Sequence, residues 1–127
     1  MEFENNAFFW QKLDTLLMSS DLTVNRPKGS MHPEFHNLIY PVDYGYLTGD
    51  ENFREHIGVY KGTRFAYHVD SIVVCADILK KDIEVKLLVG CTDEEVSLIL
   101  EFLNQTDYQK TVILRRGNDI PNWAVNG

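Results

Sequence analysis

Four stretches between residues 57 and 90, "IGVYKG", "TRFAYHV", "SIVVCADIL" and "IEVKLLVG", are built largely from Val, Ile and aromatic residues. Side chains of this kind are stiff at χ1 and pack well on a pleated surface, so this part of the chain is read as a set of β-strands. In "IEVKLLV" the side chains alternate between two faces. Ile83, Val85, Leu87 and Val89 take one, and Glu84, Lys86 and Leu88 take the other. The polar "LKKD" between the last two stretches marks a reversal, which makes them a hairpin. A two-residue turn at Lys80-Lys81 would place Asp77 opposite Glu84 across that hairpin.

Two helices flank this β-rich region. In "NNAFFWQKLDTLLMSS", Phe9, Leu13, Leu16 and Leu17 form an apolar stripe, Asn5 or Asn6 can cap the start, and Ser19-Ser20 ends the run. In "CTDEEVSLILEFLN", Thr92 and Glu95 have capping-box spacing, and Cys91 with Val96 can form a hydrophobic staple. Val96, Ile99, Leu100 and Leu103 line the inner face of that helix. "LTVNRP" reads as a strand ending at Pro27, and "TVILRR" as a last strand. Residues 27–56, with Pro27, Pro33 and Pro41, read as a long, irregular, shaped loop. With 127 residues the chain makes one domain, residues 1–127. The expected class is mainly β (α+β), a small barrel with an N-terminal and a C-terminal helix packed on it.

The net charge of −7 argues against phosphate-backbone contacts with nucleic acid and against an anionic membrane surface. No apolar run reaches membrane-spanning length, and "MEFENN" does not begin like a signal peptide, so a cytoplasmic location is expected. Cys75 and Cys91 lie in apolar stretches without metal-ligand spacing and read as reduced, buried thiols.

Two groups of residues point to chemistry. Asp77, Asp82, Glu84 and Lys86 fall on one face of the hairpin, where carboxylates could take Mg²⁺ and the lysine a phosphate. The other reading is a solvated face with weak cross-strand ion pairs. "HPEFHNLIYPVDYGYLTGD" gathers Tyr40, Tyr44 and Tyr46 in a loop stiffened by Pro41. Phenolic hydroxyls donate to phosphate oxygens, and Arg26, ahead of Pro27, can offer phosphate a bidentate fork. The same tyrosines could be plain core residues.

"YPVDYGYL" at 40–47 resembles the Tyr-Pro-x-Asn/Asp-Tyr-Gly-Tyr/Phe stretch of the soluble, Mg²⁺-dependent inorganic pyrophosphatases. "RPKGSMHPEF" and "KKDIEVKLLVGCTDEEV" are similar to a short, divergent bacterial branch of that family. The resemblance covers most of the chain and implies a closed five-stranded barrel of oligonucleotide-binding type. It implies hydrolysis of pyrophosphate to phosphate by metal-activated water. On that reading Tyr40, Tyr44 and Glu84 take part in catalysis; Arg26, Tyr40, Tyr44 and Lys86 bind substrate; and Asp77, Asp82, Glu84 and Glu55 hold Mg²⁺. The partner is pyrophosphate or another small phosphorylated anion, with self-association left open. The sequence departs from the family where metal-binding aspartates belong. Phe53, Gly58 and Leu79 stand at three of those positions, leaving Glu55 and Glu84 in register. The alternative is therefore a non-catalytic phosphate-binding or protein-interaction module whose acidic site is largely lost.

Overall fold

The structure, a computed structural model, describes residues 5–49 and 57–120. The helix α1 spans Ala7–Met18 and is followed by strands β1 (Asp21–Arg26), β2 (Asp43–Thr48) and β3 (Ile57–Lys61). Strands β4 (Val69–Asp77) and β5 (Asp82–Val89), helix α2 (Asp93–Leu103) and strand β6 (Gln109–Arg115) complete the order. The strands form one sheet in the order β1-β2-β3-β5-β4-β6. Among the described residues only β3 and β5 are parallel; every other neighbour is antiparallel. Among the described residues β1 and β6 are the two free edges, so this is an open six-stranded α+β sheet. It is not the closed five-stranded barrel, nor the pyrophosphatase fold, that the resemblance implied.

The strand missing from the sequence reading is β2, which lies inside the sheet, between β1 and β3. The sequence places residues 43–48 in the irregular segment 27–56, where prolines and glycines are frequent and alternation is scarce. Gly45 is instead required by packing: a Cβ there would lie 2.0 Å from the Thr23 carbonyl oxygen of β1. In the other direction, "TRFAYHV" is not a strand up to Val69; residues 62–68 form the connection between β3 and β4.

One helix covers each face. Trp10 and Leu17 of α1 are fully buried against Leu47, Val59, Val69, Leu87 and Val89. Phe9, expected on the inner stripe, stays about 40% exposed. Trp10 takes the inner position in its place, and its indole N–H donates to the Asn5 side chain. On the opposite face α2 buries Val96, Ile99, Phe102 and Leu103 against Tyr60, Val73, Cys75 and Leu88. The capping box of Thr92 and Glu95 is present. Both cysteines are free and buried, as their apolar contexts suggested.

Residues 27–42 close over the α2 face. Ser30 N–H bonds the Pro27 carbonyl at 3.0 Å, and Gly29 takes the positive φ of +86° that such a turn needs. The segment returns through a Met31–Ile39 bridge and buries Leu38, Tyr40 and Val42 in the core. Among the described residues no helix is long and apolar enough to cross a membrane.

Candidate functional site

The sheet face under α2 carries the polar side chains of β5. The turn between β4 and β5 is four residues long, Ile78–Lys81, rather than two. Asp77 Oδ1 accepts the backbone N–H groups of Leu79 at 2.9 Å and Lys80 at 3.0 Å, which shapes the turn, and Lys81 adopts φ +55°. The register therefore shifts by two. Asp77 faces Asp82, and Cys75 rather than Asp77 faces Glu84. A shift of two keeps every side chain on its face. Asp77, Asp82, Glu84 and Lys86 accordingly still line one cavity, together with Tyr40, Tyr60 and Cys75.

Lys86 is the centre of this site. Its side chain is only 16% exposed, and its ammonium lies 3.5 Å from Glu84 Oε2. It sits 5.0 Å from the Tyr44 ring centre and 6.0 Å from that of Tyr60. Burial alone pushes its pKa down, but Tyr44, Glu84 and Cys75 outweigh that, and the net shift is upward. A nearly buried lysine is thus held as a cation beside a carboxylate that is itself 49% exposed. The aromatic residues pack as a continuous row: Tyr40 stacks on Tyr44 at 5.6 Å, and Tyr44 meets Tyr60 at 4.7 Å. Burial pushes the Tyr40 hydroxyl up and the deeper Tyr60 hydroxyl up much further, so both remain neutral donors. Arg26 is paired with Tyr44 across β1–β2, and its positive charge tempers the upward shift of the Tyr40 hydroxyl. Tyr46, the third tyrosine of the quoted stretch, faces Gly58 across β2–β3 and is not among the residues lining either cavity described here.

Tyr40, Tyr44, Glu84 and Lys86 therefore lie close together, and Arg26 stands beside Tyr44 in the β1–β2 pairing without lining either cavity. Asp77 and Asp82 share the cavity but not a metal-binding arrangement. One Asp77 oxygen is committed to the turn, Glu84 is paired with Lys86, and among the described residues no three His, Cys, Asp or Glu side chains are grouped to hold a metal ion. Glu55, with Phe53, lies outside the described residues. Leu79 is exposed on the turn. Gly58 is the informative position. A Cβ at residue 58 would lie 2.5 Å from the Tyr44 hydroxyl oxygen and 3.2 Å from the ring carbon bearing it. The room that a carboxylate at 58 would need is filled by Tyr44. Among the described residues, Asp77, Asp82 and Glu84 do not form the carboxylate group that the resemblance implied.

Three members of the site were not singled out in the sequence. Tyr60 reads only as a strand residue, Phe102 falls outside the expected helix stripe, and His32 opens the quoted stretch 32–50 without a role assigned to it. The signal for Tyr60 was available, since it alternates in register with Gly58 on β3. That for His32 was not, because its place depends on how residues 27–42 fold back. No model of a known protein family matches the chain, and no curated protein matches it.

Proposed function

We propose that this cleft binds a small phosphorylated anion and does so without metal-dependent hydrolysis. The observation that carries the reading is Lys86, an ammonium kept charged at 16% exposure, facing a cavity and backed by the Tyr44 and Tyr60 rings. The neighbours that keep this ammonium charged leave it donor capacity, since an ammonium carries three N–H groups and one half-exposed carboxylate stands 3.5 Å away. An anion entering the cavity would accept from the donors that remain. Neutral tyrosine hydroxyls and the nearby Arg26 guanidinium supply further donors of the kind phosphate oxygens accept.

Hydrolysis of pyrophosphate needs metal ions to offset the charge of the phosphates and to activate water. The Tyr44-filled space at Gly58 and the committed Asp77 and Glu84 carboxylates give this chemistry no support. The test is phosphate release from pyrophosphate by pure protein with Mg²⁺, with Mn²⁺ and with chelator, alongside Glu84→Gln and Lys86→Ala. The reading expects no turnover above the chelated control in any of them. Metal-dependent turnover that both substitutions abolish would overturn it.

A further inference from the structure

The far wall of the same cavity is aromatic, and one ring on it is locked. His32 Nδ1 accepts the backbone N–H groups of Glu34 at 3.1 Å and Phe35 at 3.2 Å. An acceptor Nδ1 places the proton of the neutral ring on Nε2. Burial lowers the pKa of His32, which keeps that neutral form at physiological pH. The ring lies parallel to Tyr40 at 6.1 Å and leans on Phe35 at 5.3 Å. Tyr40 in turn packs on Phe102 at 4.8 Å. Among the described residues the His32 side chain makes hydrogen bonds through Nδ1 only. Nε2–H is therefore a fixed donor on a wall of rings.

This wall belongs to a cavity of about 100 Å³ that Lys86 and Glu84 also line. A wider cavity of about 500 Å³, lined by Tyr44 and Gly58, shares Asp82, Glu84 and Lys86 with it. The two meet at the lysine. An inorganic polyanion would use only the lysine end. The Phe35 and Phe102 rings offer it no donor, and Asp77, which lines the narrower cavity alone, repels a second phosphate. We infer that the ligand of this cleft is a phosphate monoester of a planar ring bearing a hydrogen-bond acceptor, with its phosphate at Lys86 and its ring against the His32 wall. The inference rests on the anion-binding reading above and adds the part of the ligand that is not phosphate.

The experiment is calorimetric titration of the full chain, in chelator, with inorganic phosphate, pyrophosphate, phenyl phosphate and pyridin-3-yl phosphate. The expected order puts both ring esters at least ~10-fold tighter than inorganic phosphate, and the pyridinyl ester a further ~5- to 10-fold tighter than the phenyl ester, the worth of one hydrogen bond. His32→Phe keeps a ring and removes Nε2–H, so the two esters should then bind within about twofold of each other. His32→Gln, which can keep both an acceptor and a donor, serves if the Phe variant does not fold, and should retain part of the preference. Inorganic phosphate binding as tightly as the ring esters would overturn this inference and leave the anion-binding reading standing. Failure of all four probes to bind at millimolar concentration would overturn both.

Discussion

Gly58 and Tyr44 set what can stand beside Lys86 in this site. At the place where the resemblance calls for an aspartate, the backbone has no side chain and the Tyr44 hydroxyl fills the gap. Gly58→Asp therefore tests the loss directly. The new side chain must push Tyr44 off Lys86, so the variant should lose about 1–3 kcal/mol in urea denaturation, the usual range for overpacking. It should gain no metal-dependent turnover. Unchanged stability together with Mg²⁺-dependent phosphate release would mean that the metal site needed only this one carboxylate. Several of the site's residues were legible in the sequence because strand alternation alone puts Glu84 and Lys86 on one face. That Tyr44 occupies the room of residue 58 was not legible, because it depends on the β2–β3 register, and β2 had not been recognised as a strand.

Among the elements, α2 was the easiest to anticipate and β2 the hardest. A capping box is a local pattern with a local cause, so it survives any tertiary arrangement. Glu95 goes further than the pattern implies. Its carboxylate accepts from Thr92 N–H and also from Thr63 N–H in the β3–β4 connection, tying helix to loop. Burial pushes its pKa up, the hydrogen bonds from Thr92 and Thr63 push it down more, and the net shift is downward from 4.5. A depressed acid stabilises the fold above its ordinary value and stops doing so as pH falls through its folded value. Thr92→Ala should cost about 1 kcal/mol at pH 7, and Glu95→Gln at least as much. The Glu95→Gln deficit should shrink below pH 4.5, measured as Tm against pH. A deficit of the same size from pH 7 to pH 3 would show that the carboxylate's charge is not what holds the loop. The β4–β5 hairpin was anticipated with the right strands and the wrong turn, because the Asp77 side chain builds a longer turn than the paired lysines suggested. Its parity was unaffected, which is why the site residues still share a face.

For the whole molecule the barrel expectation failed for a topological reason. Strand content and helix placement were readable from composition and periodicity, but closure depends on which strands pair, and the sheet ends with β1 and β6 apart. The open sheet is covered unevenly. The α1 helix protects Leu87 and Val89, while Ile83, on the same face, stays 72% exposed and Val85 is 49% exposed. Alternation fixes a face but not where a helix crosses it. The layers are joined by Asp14 of α1, whose carboxylate accepts two hydrogen bonds from Arg116, at 2.8 and 3.0 Å, and one from Val69 N–H. Desolvation raises the pKa of Asp14, and the Arg116 and Val69 bonds more than reverse this, leaving it below 3.8. Asp14→Asn should destabilise by about 1–3 kcal/mol at pH 7, with the difference from the unsubstituted protein fading as pH falls below 3.8. Urea midpoints that coincide at neutral pH would show that the clamp contributes nothing.

The most direct measurement is calorimetric titration of inorganic phosphate into the protein in the presence of chelator, with Lys86→Met beside it. Binding that needs no metal and weakens at least ~10-fold in the variant, a loss of about 1.4 kcal/mol or more, is the predicted result. Binding that appears only when Mg²⁺ is added, or that survives the loss of Lys86 unchanged, would contradict a cleft organised around a largely shielded lysine.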